Sequence, residues 1–274
     1  MCVVMGFIKD IFKQWRNGRA PVRPDGRPEV AAGSHIGRVR KLNEDSYAVI
    51  RLPVARDAVI AVADGIGGEE AGEVASWFAV RYLLRERFRY GNNAVDTPET
   101  ARKMMVDGLL GANRALDQVN SKLGGAHFAM GTTVAAAAFV PGAAVIVHAG
   151  DSRCYRWRAG EMRQLTSDHT WAQNLVSVGE LHHDDVAGHP WEHTLSNCLG
   201  ILPEVEFDVD TVELQPGDRF LLCTDGVTQM LSAKELGDHF SNAADPCAAV
   251  RSLISASLQR GGVDNIAVAA AYVP

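Results

Sequence analysis

The sequence predicts an α+β fold of antiparallel sheets with segregated helices. Strand-like apolar runs follow one another in pairs, and helix-like segments do the same, without the regular alternation of a doubly wound parallel sheet. Pro141-Gly142 stands between two apolar runs, 132–140 and 143–149, and marks a β-hairpin.

Taken in order, residues 1–32 stand apart. Val4, Phe7, Ile8, Ile11, Phe12 and Trp15 recur at helical spacing. Residues 16–28 are rich in Arg, Pro and Gly and read as a linker. A helix this short is marginal by itself, so a loose tail is preferred over an amphipathic helix that docks on a membrane surface or a partner. The sequence thus divides into an N-terminal extension and linker, 1–32, and one domain, 33–274.

Within that domain, apolar runs predict strands over 46–51, 58–63, 132–140, 143–149, 153–158, 219–224 and 266–273. Helices are expected over 70–89, 98–122, 168–178, 233–240 and 246–260. The second carries Ala101, Met104, Met105, Leu109, Ala112, Leu116 and Val119 at helical spacing. The last opens on Asp245-Pro246, an N-cap followed by a first-turn proline, and closes at Gly261-Gly262. No internal repeat or low-complexity tract interrupts the pattern.

Composition narrows the function. A net charge of −6 argues against nucleic acid, whose phosphates demand a basic surface. Cys2, Cys154, Cys198, Cys223 and Cys247 are odd in number and widely spaced, with no CxxC, so a reducing cytoplasm is expected rather than a disulfide framework. No apolar run reaches membrane-spanning length. The N-terminus lacks the features of a signal peptide. Membrane contact is expected at most through the N-terminal segment.

Four segments place a carboxylate at the tip of an apolar strand. Asp64-Gly65 closes one run, Asp151 closes a second, Asp225-Gly226 closes a third, and Asp264-Asn265 opens a fourth. The pair Glu44-Asp45 precedes a fifth. A single Asp-Gly is ordinary turn chemistry. Several carboxylates on neighbouring strand ends can converge only if they share cations, because like charges repel and resist desolvation. All-oxygen ligation suits Mg²⁺ or Mn²⁺, and a two-metal carboxylate site is standard apparatus for phosphoester hydrolysis.

These segments, with their neighbours, resemble the metal-dependent protein phosphatases (PPM, the 2C-type serine/threonine phosphatases) of bacterial type. The resemblance runs in order through Gly37-Arg38-Val39-Arg40-Lys41-Leu42-Asn43-Glu44-Asp45 and Val62-Ala63-Asp64-Gly65-Ile66-Gly67-Gly68. It continues through Met130-Gly131-Thr132-Thr133, Ala149-Gly150-Asp151-Ser152-Arg153 and Leu165-Thr166-Ser167-Asp168-His169. It ends at Cys223-Thr224-Asp225-Gly226 and Asp264-Asn265-Ile266-Ala267-Val268. Each segment is weak alone; their joint order and spacing are specific.

The resemblance implies two packed antiparallel sheets flanked by helix pairs, an α-β-β-α sandwich. It implies two divalent cations, Mn²⁺ or Mg²⁺, and a third, weaker one. Asp64 is similar to the carboxylate that bridges both metals, and Asp225 and Asp264 to the remaining ligands of the first. Glu44 and the Gly65 carbonyl resemble the ligands of the second, with Asp45 acting through a metal-bound water. Asp151 resembles a ligand of the third cation, shared with Asp225. Arg40 matches the arginine that grips the substrate phosphate, a task that suits a guanidinium fork.

The implied activity is hydrolysis of phosphoserine and phosphothreonine by direct attack of a metal-bridging hydroxide, without a phosphoenzyme. The implied partners are phosphorylated proteins, with a bacterial serine/threonine kinase and its targets foremost. A pseudophosphatase scaffold and a phosphatase of a small molecule are the alternatives. The complete carboxylate set and Arg40 argue against the first, and comparing phosphopeptide with metabolite turnover separates the second.

One position departs from the family's animal members: Ile66 stands where they often carry a histidine proposed as general acid. Protonation of the leaving group is left unassigned, with a metal-bound water or a flap histidine such as His169 as alternatives. His182, His183, His189, His193 and Cys198 crowd the region 166–199, which resembles the family's flap, but their spacing fits no standard zinc site. Gly67-Gly68 belongs to no GxGxxG or P-loop pattern. Trp77, Phe78, Tyr82, Leu83 and Leu84 read as helix core.

Overall fold

The computed structural model describes residues 28–51, 57–67, 71–91, 95–123, 129–201 and 204–274. The helical spacing of residues 1–15, the linker apart from Pro28, Cys2 and Gly68 lie outside the described residues.

Two antiparallel sheets face each other. The first has the order β1 (Glu29–His35), β11 (Ile266–Tyr272), β10 (Arg219–Cys223), β7 (Arg153–Arg158) and β8 (Glu161–Gln164). The second has the order β2 (Asp45–Ile50), β3 (Ala58–Ile66), β5 (Val134–Val140), β6 (Ala143–Ala149) and β9 (Asp208–Glu213), with the short β4 (Gly131–Thr132) paired to the end of β3. Helices α1 (Ala71–Arg89) and α2 (Pro98–Leu123) cover the second sheet. Helices α5 (Ala233–Asn242) and α6 (Pro246–Gln259) cover the first. The short α3 (Trp171–Ser177) and α4 (Asp225–Thr228) lie in connections. The sandwich and its flanking helix pairs agree with the sequence-based expectation.

The period of a strand explains the layering. In β3, Val59, Ala61 and Ala63 pack toward α1 and α2, while Ala58, Ile60 and Val62 pack toward the other sheet. β5 and β11 divide their residues in the same way. Strands buried on both faces read as continuous apolar runs, which is why these were legible. Alanine dominates the inter-sheet layer, and Phe139 and Phe220 fill its centre edge to face, with ring centroids 5.1 Å apart. The hairpin at Pro141-Gly142 joins β5 to β6, with Val140 opposite Ala143 and Gly142 at φ +80°. Asp245 caps α6, its carboxylate accepting the Ala248 N–H at 2.7 Å.

Other boundaries differ from the expectation. β1 begins at Glu29, inside the segment assigned to the extension, and pairs residue for residue with β11. Ala31 and Ala32 are buried there. Its run of Ala, Gly and Ser carries little strand propensity, so pairing with β11 decides its conformation. α3 starts at Trp171 rather than 168 because Thr170 is its N-cap and Asp168 is gripped by the Arg153 guanidinium. Asp225-Gly226 is not a turn closing a strand; β10 ends at Cys223, Thr224 takes the N-cap position, and Asp225 opens α4. β8 and β9 were not anticipated. Both are short, charged sheet-edge strands, whose polarity blunts edge pairing and hides the alternation. Among the described residues no helix is long and apolar enough to cross a membrane.

Candidate metal centre

The strand-end carboxylates meet at one end of the sandwich, contributed by both sheets. Asp45, at the start of β2, is directly opposite Asp64 near the end of β3. Asp151 follows β6, Asp225 follows β10, and Asp264 precedes β11. The ligand atoms of Asp151 and Asp225 lie within 4.8 Å of each other and of a His193 nitrogen.

Hydrogen bonds fix the frame that carries these groups. The Asn265 side chain donates to the Ile36 and Leu42 carbonyls at 2.8 and 2.9 Å, and accepts the Glu44 N–H at 2.9 Å. One amide thereby closes the loop that bears Arg40 and Glu44. The Thr224 hydroxyl donates to Asp45 Oδ2 at 2.7 Å, and Gln229 Nε2 donates to Asp225 Oδ2 at 2.7 Å. The Asp64 carbonyl accepts from the Thr132 hydroxyl and the Thr133 N–H, both at 2.9 Å. Gly65 has no room for a side chain: a Cβ would stand 1.9 Å from the Gly72 carbonyl oxygen, and one on Gly72 would stand 2.4 Å from Glu44 Oε1. The chain entering α1 therefore lies directly against the Gly65 backbone and the Glu44 carboxylate.

The electrostatics suit a cation. Burial first, then repulsion from Asp225, Asp264 and Glu44, holds the Asp45 carboxyl well above the ordinary carboxylate range, against the pull of the Thr224 hydroxyl. Burial and the facing Asp45, Asp225 and Asp151 do the same to Asp64. Burial and Asp225 push Asp151 up to about 7. Asp225 is raised by burial and Asp264, and Glu44 by burial despite nearby Arg40. Two oxygens, Asp45 Oδ1 and Asp225 Oδ1, are buried without a hydrogen-bond partner. Buried acceptors are rarely left orphaned. A hard divalent cation satisfies such oxygens and offsets the repulsion at once, so the donor set fits Mg²⁺ or Mn²⁺.

Arg40 is half exposed at the edge of this cluster. Its Nη2 contacts Asp264 Oδ2 at 2.7 Å, and its Nη1 lies 3.9 Å from Glu44 Oε2. The eight residues singled out from the sequence thus lie around one centre. A cleft opens from it, lined by Asp64, Asp151 and Asp225 and bounded by Ile66, Trp171 and Ile201.

The histidines fall into separate places. His169 does not line the cleft. Its Nδ1 accepts from the Gly150 N–H at 3.2 Å and the Asn197 amide at 2.9 Å, which leaves the proton on Nε2, facing Asp208 Oδ2 at 3.3 Å. Its one proton therefore faces Asp208. His182, His183, His189 and Cys198 do not converge with His193 into one ligand group. Among the described histidines His193 alone reaches the carboxylates of this centre; no spacing in the sequence distinguished it from its neighbours.

Comparison with known proteins follows the same lines. Residues 32–260 match the family model described as protein phosphatase 2C. The chain is similar to protein phosphatase PhpP of Streptococcus pneumoniae, 32% identical over 241 residues that cover 88% of this chain and 96% of that one. It superposes on the serine/threonine phosphatase of S. agalactiae with a TM-score of 0.81 at 30% identity, covering 90% of this chain and 100% of the other. The catalytic domain of the serine/threonine phosphatase PstP, solved with two manganese ions, gives a TM-score of 0.73 at 30% identity, over 89% of this chain and 97% of that domain.

Proposed function

The chain belongs to the protein phosphatase 2C family, and on that premise we propose that its strand-end carboxylates hold the cations that serve phosphoester hydrolysis. The enzyme is a metal-dependent serine/threonine protein phosphatase. In the proposed assignment Asp64, Asp225 and Asp264 would hold one divalent cation. Asp64, Glu44 and the Gly65 carbonyl would hold a second, with Asp45 acting through water. Asp151 and Asp225 would hold a third, weaker one. When bound, Mn²⁺ or Mg²⁺ supplies a water that ionises near neutral pH and positive charge beside the phosphoryl oxygens.

The chain's own residues do the rest. Arg40, tethered at one edge by Asp264, keeps its remaining N–H groups for the phosphate. Thr224 and Asn265 keep Asp45 and Glu44 aimed at the centre. Ile66, paired with Gly131 at the cleft, offers no proton to the departing alkoxide. A serine/threonine kinase and its phosphorylated targets are the partners we infer.

The observation that carries the assignment is the pair of orphaned oxygens on Asp45 and Asp225, within a cluster of buried carboxylates raised by burial and one another. The test is hydrolysis of a phosphothreonine peptide with Mn²⁺, with and without EDTA, in Asp64→Ala and Asp225→Ala. Both variants should keep the fold, lose manganese binding by calorimetry, and lose activity. Near-wild-type turnover in either at saturating Mn²⁺ would overturn it.

A further inference from the structure

Two large apolar side chains stand exposed on the rim of the carboxylate cleft. Trp171 is 51% exposed and Ile201 43% exposed, and both line the same opening as Asp64, Asp151 and Asp225. Scattered exposed hydrophobics need no explanation, but apolar groups gathered at a catalytic opening mark a contact surface.

The backbone that carries Trp171 is fixed, and Ile201 packs against a neighbouring strand. The Trp171 N–H donates to the Thr194 carbonyl at 2.9 Å, and the preceding Thr170 is bridged to Leu195, caps α3 and is 1% exposed. Ile201 sits over Gly131, where a Cβ would come within 2.6 Å of its Cγ1. An indole and a β-branched side chain have few rotatable bonds, so binding costs them little side-chain freedom.

We propose that Trp171 and Ile201 form a subsite for one apolar side chain of the substrate protein, close in sequence to the phosphorylated residue. The proposal rests on the phosphoprotein phosphatase reading above. The acidic floor does not dictate a basic flank, because in the working enzyme cations and Arg40 balance its charge. Beyond them the flanking polypeptide meets the indole and the isoleucine beside the uncharged Thr194, Ser196 and Asn197, with no further carboxylate among the described residues along the cleft. A lysine could stack on Trp171, but Ile201 offers it nothing, so the pair together selects an aliphatic or aromatic group.

The test uses the full chain loaded with Mn²⁺. A phosphothreonine peptide built otherwise of alanine carries a single leucine, moved through each of the nearby positions on both sides. At one position leucine should raise kcat/KM by roughly five- to tenfold over alanine, as expected for partial burial of its extra methylene and methyl groups. Trp171→Ala and Ile201→Ala should each reduce that ratio to under about twofold, and Trp171→Phe should keep part of it. The ratio is taken within one variant, so a general loss of catalysis or of folded protein cancels.

No favoured position, a ratio unchanged in both alanine variants, or an equal preference for lysine at the same place would overturn the subsite. So would a Trp171→Ala variant altered only in self-association by sedimentation, which would assign the surface to a second copy of the chain. If the wild type hydrolyses no phosphopeptide with metal, the phosphatase reading itself falls; hydrolysis without a leucine preference removes the subsite alone.

Discussion

Replacing Asp151 by Asn should make the metal-free protein more stable at neutral pH, although it removes a carboxylate from the centre. Burial, with repulsion from Asp225, raises the Asp151 carboxyl from 3.8 to about 7. The folded protein therefore binds a proton that the unfolded chain releases between those two values, and its stability falls as pH rises through that window. Three decades in proton affinity, at ~1.4 kcal/mol each, put a ceiling of ~4 kcal/mol on the cost of holding Asp151 ionised. Relaxation of the site and entry of water bring the expected gain for Asp151→Asn to about 1–3 kcal/mol above pH 7. The assay is urea unfolding in EDTA from pH 4 to 8, with Mn²⁺ added in a parallel series. The advantage of the variant should be largest above pH 7 and vanish near pH 4. Excess Mn²⁺ should stabilise the wild type more than the variant. A variant no more stable than wild type at pH 8, or one whose advantage does not depend on pH, would refute the electrostatic account of the centre.

Arg40→Ala should raise KM, and lower kcat as well if the guanidinium holds charge in the transition state. Because Arg40 also neutralises Asp264 and Glu44, its loss should strengthen Mn²⁺ binding by a few-fold in calorimetry rather than leave it unchanged. Deleting residues 1–27 should leave thermal stability and peptide hydrolysis nearly intact. Deleting 1–32 should cost about 2–4 kcal/mol in unfolding experiments, because it strips four paired residues, including buried Ala31 and Ala32, from β1. Across a series of aryl phosphates log kcat should depend steeply on leaving-group pKa when chemistry limits the rate, since Ile66 carries no acidic proton and that of His169 faces Asp208. A flat slope would mean that another group already does, and Ile66→His should flatten a steep one if the imidazole reaches the leaving oxygen.

The residues that could be read from sequence were those whose local chemistry and tertiary role coincide. Asp245-Pro246 is a helix start in any context, and Pro141-Gly142 is a turn between two strands that are buried on both faces. The strand-end acids were visible because each ends or begins an apolar run. What stayed hidden is decided by partners distant in the chain. β1 is a strand because β11 offers it a paired edge, not because Ala31, Gly33 and Ser34 favour extension. Arg40 could be matched to a phosphate, but its ion pair with Asp264 spans 224 residues. His169 looked like a mobile donor until its Nδ1 proved to be occupied by Gly150 and Asn197. Trp171 and Ile201 carry no local signal, because a rim exists only once the cleft does.

The pairing of β1 with β11 sets an order of events during biosynthesis. The residues of the sheet that holds Asp45 and Asp64 are all made by Glu213, so that sheet and its two helices can form while the chain is still growing. β1 is made early, yet its hydrogen-bonding partner runs from Ile266 to Tyr272, more than 200 residues later. Until that strand emerges from the ribosome, β1 has an unpaired edge and Asp264 has not joined the centre. Truncation before Asp264 should therefore give a chain that lacks both the partner edge of β1 and the carboxylate paired with Arg40, and that is inactive in the phosphopeptide assay.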